Sequence, residues 1–344
     1  MRRGTAAALV IAAVLATGCE VRRQPPPVGV AFLRVEGVTR ATRQSALSPV
    51  AWASDGQRFA FGAQDGVWVQ RAAGSAASRL APGHVVTAVA WAPVVDALAY
   101  IDRGEVWVVQ PDGQRRHRVE LPAPAVALAW APVGDRLAVV VHAPGPQRRS
   151  ELWWTSVGGN ILRRVQWAPP RPVAGIGWFP EALYLFVPLE HDGGSGEWWK
   201  VRIAYPDMRL LQRRDPPARE AALSPAGDWV AFVARGNRDQ VFVVRPDGSG
   251  LRAASPPAPR IAGLAWARGG DKLAYAVLLD EANAEIFVTT PSGASRRLIT
   301  YRLEFPAPSA ALALAWAPGD TYLAYGTNTG ALAGPVWLAR FGRD

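Results

Sequence analysis

Residues Ala222–Gly248 read ALSPAGDWVAFVARGNRDQVFVVRPDG. Three short apolar runs are separated here by a Ser-Pro-x-Gly-Asp turn, a polar loop and a Pro-Asp-Gly turn. Pro, Gly and Asp supply the bends that strands cannot form, and the runs between them have strand composition. The stretch therefore predicts a β-meander of three short strands.

The same pattern occurs seven times along the chain. The residue that closes the first apolar run of each unit is Trp52, Trp91, Trp130, Trp178, Leu223, Trp266 or Trp316. An Asp follows in six units, at Asp55, Asp96, Asp135, Asp228, Asp271 and Asp320. The third run of each unit carries an aromatic residue, at Trp68, Trp107, Trp153, Trp198, Phe242, Phe287 and Trp337. The period is about forty to fifty residues, which is that of four-stranded propeller blades.

The repeat predicts an all-β fold, a seven-bladed β-propeller of four-stranded blades. The first three strands of the units are expected near residues 46–71, 85–110, 124–156, 173–205, 218–246, 260–290 and 310–341. Two stacked β-sandwiches are the alternative, because short strands with regular turns also describe sandwiches. Sandwiches do not repeat their sequence at a fixed period, and this difference favours the propeller.

The pattern W-x-P-x-G-D-x-Φ-A-F/Y, in which Φ is apolar, resembles the TolB-type propeller repeat, also called the WD40-like or PD40 repeat. The pattern is most complete in residues 130–139, 223–232 and 266–275, and the resemblance covers about residues 45–344. Families with this repeat include the periplasmic TolB protein and the propeller domains of prolyl-oligopeptidase-type enzymes. The resemblance implies the fold and leaves the function open, because residues 1–344 contain neither the α/β domain of TolB nor a hydrolase domain.

Residues 1–18 are expected to be a signal peptide of the lipoprotein type. Arg2 and Arg3 form a basic start, and Ala6–Ala16 is an apolar stretch too short to span a bilayer permanently. The following Ala-Thr-Gly-Cys resembles a bacterial lipobox, and Cys19 is the only cysteine of the chain. We expect cleavage before Cys19 and lipid attachment to its sulfur. The alternative is ordinary secretion with a free thiol.

Residues 19–28 are expected to form a Pro-rich tether, and residues 29–344 a single propeller. Val30–Val35 is a strand candidate outside the seven units, whereas the last unit has only three strands. A strand around Gly29–Gly37 is therefore expected to complete the last blade. This pairing would close the ring and remove an exposed sheet edge.

The two faces of a propeller carry different connections. Turns after the first and third strands share one face, and here they are short and alike. Loops after the second strand share the other face with the links between blades, and here they are long and variable. Function tends to lie on variable loops held by a rigid scaffold, so the binding surface is expected there, mainly over units three to six. The candidate binding-face residues are His142, Arg148, Arg149, Glu190, His191, Asp192, Arg238, Asp239, Asp280 and Glu281.

The sequence predicts no catalytic residue, metal or cofactor. The four histidines show no metal-ligand spacing, and Gly-x-Ser-x-Gly is absent. His142 and His191 lie in loops of neighbouring units, where a weak metal site with Glu190 and Asp192 is the alternative to simple exposure. The first runs carry charge only at Arg219 and Glu220, so the central channel is expected to be mostly neutral.

The formal net charge is +10, and many arginines fall in the fourth runs that form the outer rim. A basic rim can contact anionic lipids or protect exposed sheet edges, and we favour the edge role. Nucleic acid is not expected as a partner, because the chain is predicted to be exported and its charge encircles the domain.

These observations predict an exported lipoprotein, anchored on the extracytoplasmic side of a membrane and facing the periplasm or the cell surface. Its propeller is expected to be a non-catalytic module that binds or scaffolds an envelope protein or peptide. The alternative is an extracytoplasmic hydrolase or lyase acting on a sugar or lactone at the channel mouth. Convergence of the loop carboxylates and histidines on one pocket would favour the enzyme.

Overall fold

Seven antiparallel sheets of four strands each make up the structure, a computed structural model. It describes residues 33–143, 149–167, 173, 175–189, 196–214, 218–303, 312–327 and 334–343. Within these ranges every regular element is a β-strand. The predicted all-β, seven-bladed propeller of four-stranded blades is confirmed. No helix in the described ranges is long and apolar enough to cross a membrane.

The strands follow the repeat in chain order. Blade 7 begins with the outer strand β1 (Leu33–Arg40). Blades 1 to 3 contain β2 (Ala51–Trp52), β3 (Arg58–Ala63), β4 (Gly66–Arg71), β5 (Ser78–Pro82), β6 (Val86–Trp91), β7 (Leu98–Asp102), β8 (Glu105–Val109), β9 (His117–Val119), β10 (Ala125–Trp130), β11 (Arg136–His142), β12 (Ser150–Ser156) and β13 (Leu162–Arg164). Blades 4 and 5 contain β14 (Gly177–Trp178), β15 (Tyr184–Pro188), β16 (Gly196–Arg202), β17 (Met208–Arg214), β18 (Ala218–Leu223), β19 (Val230–Ala234), β20 (Gln240–Val244) and β21 (Arg252–Ala253). Blade 6 and the rest of blade 7 contain β22 (Ile261–Trp266), β23 (Leu273–Leu278), β24 (Asn283–Thr289), β25 (Ser295–Arg302), β26 (Leu312–Trp316), β27 (Tyr322–Thr327) and β28 (Trp337–Arg343).

The core lies between neighbouring blades. The second strand of a blade is covered on both sides, and every residue of β7 and of β23 is buried. Side chains of β11, such as Val140, pack with Leu185 and Val187 of β15 in one apolar cluster that joins blades 3 and 4. Burial on both faces explains why the second runs read as continuous apolar stretches.

The N-terminal strand closes the ring, as predicted. β1 pairs antiparallel with β28, from Leu33 opposite Arg343 to Arg40 opposite Trp337. The predicted segment, residues 29–37, overlaps β1 and ends three residues before it, while residues 29–32 lie outside the described residues. The strand extends to Arg40 because β28 supplies a full-length partner for it.

In four of the blades, the Trp that ends the first strand joins its blade to the preceding one. The indole Nε1 of Trp130 donates to the carbonyl oxygen of Ala90 at 3.0 Å. Trp178 donates in the same way to Ala129, at 2.9 Å. The equivalent bonds elsewhere are Trp52 to Ala315 and Trp266 to Ala222. The acceptor in each of these bonds is an alanine that itself precedes the end of a first strand, and its small side chain lets the neighbouring indole reach the strand backbone.

The register of blade 4 corrects one detail of the repeat. Trp153 lies opposite Val139 on the second strand, and Trp199 lies opposite the equivalent Val187. Trp199, and not Trp198, is therefore the aromatic residue equivalent to those of the other third runs. The mismatch arose because two tryptophans are adjacent in this run and unit four lacks the aspartate that aligns the other units.

Arginines of the outer strands pair with acids of the third strands. Arg118 reaches Glu105 at 2.7 Å, and Arg164 reaches Glu151 at 2.9 Å. Arg297 reaches Glu285 at 2.7 Å in the same way. The charged rim thus covers the outer sheet edges with ion pairs, in agreement with the edge role expected from the sequence.

We call the face with the turns after the first and third strands the short-turn face. Its inner turns are residues 53–57, 92–97, 131–135, 179–183, 224–229, 267–272 and 317–321, and its outer turns are residues 72–77, 110–116, 157–161, 203–207, 245–251 and 290–294. The opposite end, with the loops after the second strands and the links between blades, is the long-loop face.

Candidate functional site

Buried polar side chains hold the backbone at the long-loop face. Each of them accepts a hydrogen bond from a backbone N–H group of a neighbouring loop or strand end, at 2.8 to 3.0 Å. We call them the loop-holding residues, and they are Thr42, Ser48, Asp102, Ser150, Asp239 and Ser255. Buried N–H groups need such partners, so these side chains fix the loops to the scaffold.

The structure places six of the ten candidate residues predicted from the sequence. His142 ends β11, and its N–H donates to the carbonyl of Pro124 at 3.0 Å. The backbone N–H of Ala143 donates to the carbonyl oxygen of Arg149. This bond joins the two ends of the loop between β11 and β12 in blade 3. Arg238 and Glu281 are exposed at blades 5 and 6. The other four, Arg148, Glu190, His191 and Asp192, lie outside the described residues.

The two remaining carboxylates, Asp239 and Asp280, accept hydrogen bonds from nearby N–H groups. Asp239 is buried and accepts the N–H of Ile261 at 3.0 Å. Asp280 accepts the side-chain amide of Asn283 and the N–H groups of Ala282 and Asn283. These donors, the Asn283 amide first, hold the pKa of Asp280 below its usual range. A carboxyl group stabilised as an anion is a weak base and is not a proton donor near neutral pH.

No group of three or more His, Cys, Asp or Glu side chains in the described ranges is arranged to hold a metal ion. The described members of the predicted convergent set, Asp239 and Asp280, each accept hydrogen bonds from backbone N–H groups. The convergence with Glu190, His191 and Asp192 is untested, because these three residues are outside the described part.

A cleft of about 560 Å³ opens at blade 2, beside the link from blade 1. Asp102 is buried in its wall and accepts the N–H groups of His84 and Val85, both at 3.0 Å. The imidazole Nδ1 of His84 lies 3.6 Å from the Asp102 carboxylate, and this side chain is largely exposed to the cleft. The carboxylate therefore positions both the link backbone and the imidazole.

The opposite side of this cleft carries a stacked cation. The guanidinium of Arg116 lies 3.8 Å from the ring centre of Trp107, and its Nε donates to the hydroxyl of Tyr100 at 2.5 Å. Burial raises the pKa of Tyr100, so this hydroxyl stays protonated at neutral pH although the Arg116 charge acts in the other direction. Arg103 completes the rim in a left-handed backbone conformation, with φ of 49°.

The chemistry of the blade 2 cleft suits recognition of an acidic group. Two guanidinium groups and an imidazole converge there, and guanidinium binds carboxylates in a planar, two-point manner. The acids of the wall are already engaged, Asp102 with backbone N–H groups and Glu105 with Arg118 at 2.7 Å. Hydroxyl and thiol nucleophiles are absent from the described residues that line it.

His84 and Asp102 were not among the residues singled out from the sequence. The sequence did contain a signal for Asp102. This residue directly follows the apolar run Leu98–Ile101 of a buried strand, so its carboxylate is expected to be buried as well. A buried carboxylate needs donors, and the nearest turn offers them. The sequence did not show that the donors come from the link Gly83–Val85 of the neighbouring blade.

The central channel agrees with the expectation of a mostly neutral lining. Its innermost strands present Ala, Val and Leu, and Glu220 is the charged side chain among their described residues. Glu220 accepts the N–H of Gly263 on the adjacent blade at 2.9 Å. The side chain of Arg219 is not described.

Comparisons with solved structures agree on the fold. The β-propeller domain of Cps50 (Swd1) from Myceliophteria thermophila is 16% identical with a TM-score of 0.60, over 89% of this chain and 99% of that one. A chain of a mitotic checkpoint complex is 16% identical with a TM-score of 0.63, over 97% and 100%. An oligogalacturonate lyase in complex with manganese is 13% identical with a TM-score of 0.67, over 89% and 91%. No protein-family model and no curated protein matches the chain.

The blades and these likenesses define the class: the chain is a seven-bladed β-propeller. The similar structures include a chain of a protein complex and a lyase. At 13 to 16% identity they show the fold and leave the activity of this chain open.

Proposed function

We propose that this chain is a TolB-like propeller lipoprotein of the cell envelope, anchored through Cys19. It binds or scaffolds a protein or peptide through its long-loop face and is not itself a catalyst. The observation that carries this proposal is the set of six loop-holding residues, which fix variable loops to a rigid ring. Preorganised loops bind a partner without the cost of ordering them at each encounter.

The blade 2 cleft is the proposed contact for an acidic segment of the partner. Arg103, Arg116 and His84 face it, and Trp107 adds a flat apolar surface under the Arg116 guanidinium. Aromatic and arginine side chains of this kind dominate binding energy at protein interfaces. The likeness to a chain of a mitotic checkpoint complex is in keeping with this proposal.

A capture experiment with matched charge reversals tests the proposal. The full anchored chain serves as bait in cross-linked native envelope extract, beside Arg103→Glu and Arg268→Glu. Both arginines are exposed, but Arg103 is on the long-loop face and Arg268 on the short-turn face. We expect one partner to be captured by the wild type and by Arg268→Glu, and lost with Arg103→Glu. Loss with both variants or with neither would contradict docking at blade 2.

The lyase or hydrolase alternative predicts a different outcome. A chain that captures no partner but retains manganese through dialysis would favour a metal-assisted enzyme, with ligands among His142 and residues 190–192. Replacement of His142 and His191 by Ala would then remove the metal. Retention of a partner without metal would exclude this alternative.

A further inference from the structure

Among the described residues, exposed large apolar side chains are more numerous on the short-turn face than on the long-loop face. Seven of the twelve large apolar side chains that are exposed in the described ranges lie in its turns. All seven lie in blades 2 to 5, namely Val94, Val95, Val133, Ile161, Leu183, Tyr205 and Leu251. We call this set the apolar arc. The same face of blades 6, 7 and 1 lacks such side chains in its described turns.

The turns that carry the apolar arc touch one another. Gly134 has Val94 of the preceding blade as its nearest neighbour. Arg136 donates to the carbonyl oxygen of Ala182 in the next turn at 3.4 Å, and Gly227 packs against Pro180. The turns that carry the exposed apolar side chains therefore form one continuous part of this face, and a concentration of exposed apolar side chains marks binding surfaces in soluble proteins.

The N-terminal segment reaches the propeller on this same face. Leu33, the first residue of β1, lies opposite Arg343 at the end of β28. That end of the strand is beside the inner turn of blade 7, because Phe341 donates its N–H to the carbonyl of Thr321 at 2.9 Å. Thirteen residues separate Cys19 from Leu33. At about 3.3–3.6 Å per residue they reach no further than roughly 50 Å.

The charged residues near the apolar arc differ between the outer and the inner turns. In the outer turns and the strand ends beside them, exposed arginines surround the arc, among them Arg115, Arg209, Arg245 and Arg252. Three acids of the inner turns pair with cations: Asp96 with Arg58, Asp135 with Arg136 and Glu181 with Lys200. The acids that accept hydrogen bonds from neutral donors are Asp112, Asp207, Asp228 and Asp247. The border of the apolar arc therefore carries both signs of charge, and its exposed arginines are the groups that contact anionic headgroups at a lipid surface.

We infer that the short-turn face lies against the membrane in which Cys19 is anchored, with the apolar arc inserted at the lipid interface. The inference rests on the lipid anchor of the proposed function and goes beyond it, because it assigns a second surface and its partner, an anionic bilayer. The long-loop face then points away from the membrane, toward the aqueous space where a partner is met.

In this orientation the propeller is attached to the membrane at two opposite sides of its ring. The tether joins at blade 7, and the apolar arc is centred on blades 3 and 4, across the ring from it. A single tether leaves the ring free to swing, whereas a second contact on the far side holds the face flat. The tether also keeps the arc at high effective concentration near the lipid, so a weak apolar contact is sufficient.

Site-specific fluorescence on the anchored full chain tests this orientation. Single cysteines at Val133 and Leu183, which are 51% and 44% exposed, are labelled with a polarity-sensitive dye. Matched positions at the long-loop end are Val126 and Leu279, which are 42% and 45% exposed. The chain is reconstituted in vesicles of phosphatidylethanolamine and phosphatidylglycerol that contain a lipid-borne quencher. We expect a blue shift and several-fold stronger quenching at 133 and 183 than at 126 and 279.

Three results would overturn the inference. Equal quenching at both faces, or stronger quenching at 126 and 279, places the wrong surface at the membrane. A blue shift at 133 and 183 that appears without vesicles and grows with protein concentration assigns the arc to a second copy of the chain. A mass spectrum that shows no acyl chains on Cys19 would refute the lipid anchor and, with it, this orientation. Partner capture would still test the proposal for the long-loop face separately.

Replacement of Val94, Val133 and Leu183 by Ser provides a second readout. The three side chains are exposed, so the fold is expected to persist, which a circular dichroism melt checks. Quenching of a dye at Tyr205→Cys should fall several-fold in this background. Unchanged quenching would show that the arc does not hold the face to the lipid.

Discussion

The ammonium group of Lys272 lies 2.7 Å from a carboxylate oxygen of Asp320 on the neighbouring blade. It also lies 2.7 Å from Asp271 in its own turn, and the Lys272 side chain is buried. Burial acts to lower the pKa of Lys272, but the hydrogen bonds to Asp271 and Asp320 outweigh it and raise the pKa above its usual value of 10.5. This cation thus joins the inner turns of blades 6 and 7.

Replacement of Lys272 by Met should destabilise the propeller by roughly 1–3 kcal/mol at neutral pH, because the Asp320 carboxylate loses its cation. The pKa is raised in the folded state, so the contribution is fully present below about pH 10.5 and is lost as the pH rises through the folded-state value. Chemical denaturation at pH 7 and pH 11 measures both effects. A difference between wild type and variant that is the same at both pH values would contradict the assignment.

A matched pair of tryptophans isolates the hydrogen bond between blades. Trp130 and Trp316 are each 7% exposed, but Trp130 donates to Ala90, whereas the Nε1 of Trp316 has no partner among the described residues. Replacement by Phe removes the same ring atoms at both sites. Trp130→Phe should cost roughly 0.5–1.5 kcal/mol more than Trp316→Phe, since only the first loses a bond.

Equilibrium unfolding in urea measures this difference directly. The absolute loss at each site includes the space left by the smaller ring, and the comparison of the two variants removes that shared part. Equal losses would mean that the indole hydrogen bond does not stabilise the junction between blades.

The sequence predicted the blades because their determinants are local. Turn residues such as those of Ser224–Asp228, together with the runs on either side, specify one meander at a time, and the period counts the blades. The closing strand was also predictable, because a three-stranded last unit leaves an edge that needs a partner. The repeat showed the tryptophans but not that Trp130 bonds to the backbone of the preceding blade.

The candidate site could not be predicted from the sequence, because it depends on contacts between residues of different turns, strands and links. Val94, Val133 and Leu183 are isolated apolar residues in turns of ordinary composition, and only the ring of touching turns makes them one surface. The pairing of Asp102 with His84 likewise joins a strand end to a link eighteen residues away. The predicted loop face remains a prediction for Arg148, Glu190, His191 and Asp192.

Removal of the closing strand should sharply lower the melting temperature. Deletion of residues 33–40 exposes the edge of β28 and uncovers the apolar cluster that contains Leu33 and Phe341. An unpaired edge next to exposed apolar side chains also promotes self-association. Deletion of residues 20–28 is the control and should leave the melting temperature unchanged. Similar melting curves for the two deletions, recorded by circular dichroism, would rule out closure by β1.

Gly263 is expected to be the most sensitive glycine at the junction of blades 5, 6 and 7. Its φ is +87°, and a Cβ atom there would overlap the carbonyl oxygen of Leu312 on the next blade. Its N–H donates to Glu220 of the preceding blade at 2.9 Å. Gly263→Ala should therefore combine backbone strain with overpacking and destabilise the propeller by roughly 2–4 kcal/mol.

Gly319 supplies the control, because its φ is +86° but no atom of the described residues lies within 4 Å of the position that a Cβ would take there. Gly319→Ala should cost only the strain, roughly 1–2 kcal/mol. The two glycines have nearly the same positive φ, so the excess loss at 263 measures the close approach of blade 7 to blade 6. Thermal unfolding of both variants decides the point, since equal losses would mean that the innermost strands can separate at no cost.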